Sequence, residues 1–219
     1  MHDSLSLYDG EDLNFSRLTW IARNRLKKRR NVMAALPQEL RSERLLLRRW
    51  RPSDRAAFAA MNADPRVMEH FPAVLSREES DAAADRIEAH FDKHGFGLWA
   101  VEIVGEATFA GFIGLSVPRF EAHFTPCIEV GWRLATDYWG RGLATEGARA
   151  AVEFAFENLG LEQIVSYTVP ANIRSRRVME KLGMTHDPSD DFDHPLLPAG
   201  HPLRRHVLYR LARAKSPRG

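Results

Sequence analysis

The chain contains very little cysteine and no long apolar run. Cys127 is the only cysteine in 219 residues, so an internal disulfide is excluded and a reducing compartment is expected. We expect Cys127 to act as a small buried apolar residue rather than as a nucleophile. No apolar run approaches the ~20 residues that a membrane-spanning helix needs, and the start lacks the apolar segment of a signal peptide. These absences predict a cytoplasmic protein without a membrane partner.

The chain also has little excess of one charge sign over the other. The formal net charge is only +2 at pH 7, which gives little general affinity for nucleic acid. Six basic residues are concentrated at Arg23–Arg30, and because no aromatic residues interleave them, a solvated segment is favoured over an RNA-binding arm. We therefore divide the chain into a basic, loosely attached extension (1–36), one α/β domain (37–214) and a tail (215–219). With 44% hydrophobic residues in 219, the chain can bury one full core.

The sequence does contain a glycine-bearing loop between a strand pattern and a helix pattern. Ile128–Leu134 is a β-rich apolar run, and Gly140-Arg141-Gly142 follows, where missing side chains permit positive φ and close approach of an anion. The backbone N–H groups near 141–145 would be the unpaired donors of a first helical turn, which suit a diphosphate. Two glycines also make plain tight turns, so the loop alone does not decide. The apolar stripe of the following helix is Ala144, Ala148, Val152, Ala155, Phe156 and Leu159.

Several other sites are excluded or disfavoured by missing residues. The Gly-Lys-Ser/Thr tripeptide of a Walker loop is absent from the sequence. A dinucleotide fingerprint Gly-x-Gly-x-x-Gly would need its third glycine at Thr145, which disfavours a nicotinamide or flavin cofactor. The spacing of Asp193, His194 and His201 matches no compact ligand pattern. We therefore expect no metal ion.

A second motif follows one strand later. Gln163–Val169 reads as a strand, and Asn172 is a favoured N-cap for the helix behind it. That helix ends at Gly183, a natural C′ residue. Asn172 and Ser175 lie three residues apart near the helix start, so both can face the same neighbour.

Together the two motifs carry a resemblance. Trp139-Gly-Arg-Gly-Leu-Ala-Thr-Glu146, followed by Asn172-x-x-Ser-x-x-Val-Met-Glu-Lys-Leu-Gly-Met184, resembles the acetyl-CoA-binding core of the GNAT N-acetyltransferase superfamily. Within that superfamily the chain is similar to the branch that acetylates the N-terminal amines of ribosomal proteins. The resemblance covers about residues 40–213.

The resemblance implies a GNAT fold of the α/β (α+β) class. Its mixed, twisted sheet of about seven strands has helices on both faces and is splayed between strands four and five, where pantetheine lies. The capping-box pair Ser76 and Glu79 marks the start of one helix, and Gly105-Glu106 marks a hairpin turn. The strands are expected at 44–50, 98–104, 108–117, 128–134, 163–169 and 206–211, and the first two helices at 52–62 and 76–93.

The resemblance also implies which residues bind acetyl-CoA, the expected co-substrate. They belong to the strand before the glycine loop, to the loop and the helix start, and to the start of the second helix. The predicted cofactor-binding residues are Trp132, Arg133, Leu134, Trp139, Gly140, Arg141, Gly142, Leu143, Ala144, Thr145, Asn172 and Ser175.

Two residues are predicted to be catalytic. Glu129 lies where the superfamily places carboxylates beside the reacting carbon, and partial burial would raise its pKa toward that of a general base; the alternative is a structural ion pair with a cation such as Arg133. A backbone N–H near Val130–Trp132 would polarise the carbonyl. Much of the superfamily protonates the leaving thiolate with a tyrosine, but Met179 stands at that position, so Ser175 is the candidate acid; solvent is the alternative.

The acceptor is the least determined partner. In this fold the amine enters between the loops at 64–72 and 187–202, and the second loop is rich in aspartate and proline, which suggests a negative rim for a cationic amine. The leading interpretation is an acetyl-CoA-dependent N-acetyltransferase acting by direct attack of a primary amine, either a protein N-terminus or a small molecule. The alternative is a non-catalytic acyl-CoA-binding or RNA-associated module. A homodimer is possible, and nucleic acid is not expected as a partner.

Overall fold

The computed structural model of the protein describes residues 36–214. The basic extension predicted at 1–36, apart from Leu36, and the tail at 215–219 lie outside the described residues. Residues 36–214 contain nine strands: β1 Leu40–Arg41, β2 Leu45–Arg48, β3 Leu98–Ile103, β4 Ala107–Ser116, β5 Glu129–Leu134, β6 Gln163–Thr168, β7 Thr185–His186, β8 Phe192–Asp193 and β9 Arg205–Ala212. The same part of the chain contains four α-helices: α1 Asp54–Ala63, α2 Arg77–His94, α3 Leu143–Glu157 and α4 Ile173–Lys181.

The strands form one mixed sheet in the order β1-β2-β3-β4-β5-β6-β9-β7, with β8 paired to β9. All paired neighbours are antiparallel except β5 and β6, which are parallel. The predicted GNAT architecture is confirmed. The sheet has nine strands rather than about seven because β1, β7 and β8 are only two residues long, too short to show a period of two in the sequence.

The sheet is split between β5 and β6. These are the strands expected at 128–134 and 163–169, the fourth and fifth in the sequence analysis, so the split lies where it was predicted. Their only register pair is Glu129 with Val165, and Val165 N–H donates to Ile128 C=O at 2.9 Å. Toward the carboxyl ends of both strands the described residues form no further pair, although the same strands continue to pair with β4 and β9 on their other sides. A gap therefore opens within the sheet beyond Glu129.

Helices cover both faces of the sheet. A Cβ added to Gly147 of α3 would meet the side chains of Ile113 and Leu45, whereas Phe58 of α1 packs against Phe112 at 6.1 Å between ring centroids. Ile113 and Phe112 are consecutive residues of β4, so they point to opposite faces. The two helices therefore lie on opposite sides of the same strand.

Candidate active site

The loop between β5 and α3 contains two glycines with positive φ. Gly140 and Gly142 have φ of 72° and 80°, where a larger residue would be strained. Gly142 is the N-cap of α3, and the first backbone hydrogen bond of the helix runs from Glu146 N–H to Gly142 C=O at 3.0 Å. Three N–H groups of the first turn therefore have no carbonyl partner inside the helix: those of Leu143, Ala144 and Thr145. With the positive end of the helix dipole, they can hold phosphate oxygens.

Arg44 holds this loop in place. Its Nε donates to Glu146 Oε2 at 2.7 Å, and its Nη1 donates to Arg141 C=O at 3.2 Å. Ser42 Oγ donates to the other carboxylate oxygen of Glu146 at 2.7 Å. Burial raises the pKa of Glu146, but the hydrogen bonds from Ser42 and Arg44 outweigh that effect, so the pKa stays below its ordinary value. The loop is therefore shaped by the fold, which lowers the ordering cost of ligand binding.

Two side chains of the loop already have protein partners. Arg141 donates to both carboxylate oxygens of Glu106, in the β3–β4 turn, at 2.7 Å each. Trp139 Nε1 donates to Leu134 C=O at 2.7 Å, which packs the indole against the end of β5. Arg141 is thus directed toward the hairpin, and its backbone, rather than its guanidinium, belongs to the glycine loop.

The backbone N–H and C=O groups of β5 point alternately toward β4 and toward the gap. Ala135 N–H donates to Ala110 C=O of the segment paired with β5, at 3.0 Å, whereas Ile128 C=O faces β6. Because successive residues of a strand direct their polar groups to opposite sides, the even-numbered residues after Ile128 face the gap. The N–H groups of Trp132 and Leu134 therefore border the opening.

Arg133 has a different environment from its two neighbours. Its guanidinium lies 4.0 Å from the ring centroid of Phe71 and donates to Asn62 Oδ1 of α1 at 2.8 Å. The residue is buried. The structure therefore does not bring the Arg133 side chain to the gap or to the glycine loop.

Glu129 begins β5 at the last paired position before the gap. Its Oε2 accepts hydrogen bonds from Tyr167 Oη at 2.8 Å and Ser116 Oγ at 3.1 Å; these hydroxyl groups, rather than Arg133, bind the carboxylate. Its Oε1 lies 3.7 Å from the position that a Cβ on Gly131 would take. Burial raises the pKa of Glu129 to about 7, although the two hydrogen bonds act to lower it. A carboxylate of this pKa can accept a proton at neutral pH.

The start of α4 lies beside the same gap. Asn172 Oδ1 accepts a hydrogen bond from Ser175 N–H at 3.2 Å, and Asn172 Nδ2 donates to Thr168 Oγ1 at 3.0 Å. The predicted N-cap is confirmed. Ser175 is half-buried, whereas Met179 is a fully buried core residue. Because β5 and β6 are parallel, α3 and α4 begin at the same edge of the sheet.

An aromatic cluster covers the sheet beside Glu129. The rings of Phe120 and His194 lie 4.5 Å apart, and those of His194 and His206 lie 5.0 Å apart. Burial lowers the pKa of His194 to about 4 and also lowers the pKa of His206, so both rings are neutral at pH 7. The members of the aromatic cluster are Phe120, Phe124, Tyr167, Phe192, His194 and His206.

The loop expected to form a negative rim carries paired carboxylates. Two of these pairs are short, with distances of 2.6 Å and 2.7 Å between nitrogen and oxygen. Two of these aspartates, Asp190 and Asp193, are therefore compensated by arginines, one from β9 and one from the segment before β9. The pairs are Asp190 with Arg210, Asp191 with His186, and Asp193 with Arg204.

Burial raises the pKa of the free Cys127 thiol to about 12, which supports the prediction of an apolar role. Within residues 36–214 no three His, Cys, Asp or Glu side chains are grouped so as to hold a metal ion. No helix in that part of the chain is long and apolar enough to cross a bilayer.

A mixed sheet split at its parallel strand pair, with a glycine loop at the start of the next helix, is the architecture that the GNAT resemblance implied. The sequence profile of the GNAT acetyltransferase domain matches residues 44–185. The chain belongs to the GNAT acetyltransferase family.

Individual relatives agree with this assignment. The chain is 42% identical over 96 residues to the FsC-acetyl coenzyme A-N(2)-transacetylase of Aspergillus fumigatus, a match that covers 42% of this chain and only 40% of the fungal enzyme. An acetyltransferase structure from Agrobacterium tumefaciens is similar with a TM-score of 0.65 and 30% identity, covering 82% of this chain and 96% of that one. The ribosomal-protein-S5-alanine acetyltransferase of Vibrio fischeri shares the fold with a TM-score of 0.60 and 18% identity, covering 80% of this chain and 96% of that one.

Proposed function

We propose that the protein transfers the acetyl group of acetyl-CoA to a primary amine by direct attack of the amine. Membership of the GNAT family implies acetyl-CoA as the co-substrate. The observation that carries the proposal is the raised pKa of Glu129, about 7. This carboxylate lies where the gap between β5 and β6 begins. Such a group suits removal of a proton from an alkylammonium or attacking amine near neutral pH.

The residues around the gap fit the coenzyme. The diphosphate is held by the N–H groups at the start of α3, beyond Gly140 and Gly142, where the loop is already ordered by Arg44. The pantetheine arm lies in the gap against the N–H groups of Trp132 and Leu134, with Asn172 and Ser175 on the other wall. Acetyl-CoA supplies the activated acetyl group as a thioester.

Glu129 acts as the general base in this proposal. Its Oε2 is fixed by Tyr167 and Ser116, which leaves Oε1 to accept the proton of the amine directly or through a water molecule. Tyr167 and Ser116 are positioning residues, because they orient the carboxylate and lower its pKa from the value that burial alone would give.

Two further groups complete the chemistry. The N–H of Trp132 faces the gap and polarises the acetyl carbonyl as negative charge develops on its oxygen. Ser175, in the first turn of α4, donates its hydroxyl proton to the departing thiolate and takes a proton back from solvent. Met179 has no part in this step because it lies in the core.

The acceptor class follows from charge. Asp190 and Asp193 of the rim are paired with arginines, and His194 of the aromatic cluster is neutral at pH 7. These surroundings do not add negative charge for a polycation, so we favour a peptide N-terminus or a small monoamine over a polyamine. The free Cys127 is compatible with the expected cytoplasmic location, and a homodimer stays a prediction.

Release of the coenzyme A thiol provides the test of this function. We expect turnover with acetyl-CoA and at least one member of a panel of N-terminal peptides and small amines. Glu129→Gln should lower kcat at pH 7 by about 10²–10⁴-fold, the usual contribution of a general base, with little change in acetyl-CoA affinity. The wild-type pH–rate profile should rise through pH 7, and the variant profile should lack that rise. Turnover with an unchanged profile in the variant would reject Glu129 as the base.

A further inference from the structure

Arg174 reaches across the gap between β5 and β6. It belongs to the first turn of α4, which follows β6, and its guanidinium lies 4.4 Å from the ring centroid of Trp139, in the loop that follows β5. Its Nη2 also donates to Glu69 Oε2, in the segment between α1 and α2, at 2.8 Å. One side chain therefore contacts both walls of the gap and a third segment of the chain.

These contacts border an open pocket beside the glycine loop. The pocket has a volume of about 410 Å³ and is lined by Pro65, Arg66, Glu69, Trp139 and Arg174. Because Trp139 directly precedes Gly140, the pocket that Arg174 lines adjoins the start of the loop proposed to bind the diphosphate. Arg66 does not compete for that role, since it forms two hydrogen bonds with an aspartate of its own segment, at 3.0 Å and 2.7 Å.

The present carboxylate partner of Arg174 is a weak one. The side chains of Glu69 and Arg174 are both 56% exposed, and ion pairs of this kind add little stability. A cation in the first turn of a helix also opposes the helix dipole. A guanidinium binds phosphate through charge-assisted, often bidentate hydrogen bonds. A neighbouring diphosphate is therefore a better partner for Arg174 than Glu69 is.

We propose that Arg174 is a further cofactor-binding residue, which Glu69 holds across the gap until the diphosphate of acetyl-CoA displaces that carboxylate. The proposal rests on the proposed function, because it needs acetyl-CoA at the glycine loop. The exchange breaks the Arg174–Glu69 ion pair and forms hydrogen bonds from Arg174 to phosphate.

Calorimetric titration of acetyl-CoA into the full chain and its variants tests this exchange. Arg174→Gln should weaken binding about tenfold, because it removes a charge-assisted contact. Glu69→Gln should tighten binding about two- to fivefold, because it removes the competing partner of an exposed pair. In the double variant the effect of Glu69→Gln should disappear, since the two residues act on one contact.

A matched control separates this exchange from a general charge effect. Asp92→Asn removes one negative charge from an ion pair with Arg49, in the last turn of α2, and should leave acetyl-CoA affinity unchanged. The proposal is overturned if Glu69→Gln behaves like Asp92→Asn, or if its effect persists when Arg174 is replaced. Failure of the wild-type protein to bind acetyl-CoA would instead overturn the proposed function, and this inference with it.

Discussion

At the scale of single residues, the environment of Glu129 depends on hydroxyl groups from distant parts of the chain. Tyr167 and Ser116 bind Glu129 from 38 and 13 positions away in the sequence, and no local pattern marks contacts of that kind. The side chain of Arg133 is a second example. Its position in β5 suggested a cofactor-binding residue, but packing against Phe71 and α1 turns the guanidinium into the core.

Glu129 is expected to destabilise the folded protein at high pH. Its pKa is raised from 4.5 to about 7 by burial, so its contribution to stability is fully present below the unfolded pKa and is lost as the pH rises through the folded pKa. Glu129→Gln keeps a hydrogen-bond acceptor without the charge. At pH 8 the free energy of unfolding of the variant should be about 1–2 kcal/mol higher than that of wild type. This value allows for screening of the charge by solvent, because the residue is partly exposed.

Urea denaturation at pH 8 and pH 5 measures this effect, and the difference should shrink at pH 5. Glu102→Gln provides a control of opposite sign, because the hydrogen bond from Arg48 lowers the pKa of Glu102. That variant should be less stable than wild type at pH 8. A Glu129→Gln protein that is less stable than wild type at pH 8 would show that burial does not penalise the charge.

At the scale of elements, capping chemistry predicted helix starts well. Ser76 and Glu79 form the capping box at the start of α2, and Asn172 caps α4; Gly183 follows α4 with φ of 81°. Such signals are local, so a single sequence shows them. The two-residue strands β7 and β8 were not predicted, since they exist only because β9 offers an edge for pairing.

The two side-chain caps offer a matched pair of variants. Asn172→Ala and Ser76→Ala should each lower the free energy of unfolding by about 0.5–2 kcal/mol, the usual cost of losing an N-cap. Only Asn172→Ala should weaken acetyl-CoA binding, because α4 borders the gap whereas Ser76 caps α2. Urea denaturation and calorimetric titration measure the two effects. Equal acetyl-CoA affinities in the two variants would contradict a role for the α4 cap in cofactor binding.

At the scale of the whole molecule, the split in the sheet followed from the two motifs and the family resemblance. The charge of the acceptor rim could not be predicted from the sequence in the same way. The sequence shows the aspartates of 187–202 together, but their cations come from other segments, as in the pair of Asp190 with Arg210. A local excess of one charge is therefore a poor guide to the potential of a folded surface.

The central claim is that the start of α3 binds the diphosphate of acetyl-CoA, and calorimetric titration with a pair of glycine variants tests it most directly. Gly142 and Gly160 both have positive φ, of 80° and 65°. Replacing either glycine with alanine should therefore lower the free energy of unfolding by about 1–2 kcal/mol. Gly160 follows α3 at its opposite end. We predict that the wild-type protein and Gly160→Ala bind acetyl-CoA with similar affinity and that Gly142→Ala binds it about tenfold more weakly, a difference of about 1.4 kcal/mol. Equal affinities for the two variants, or no binding to the wild-type protein, would contradict the account.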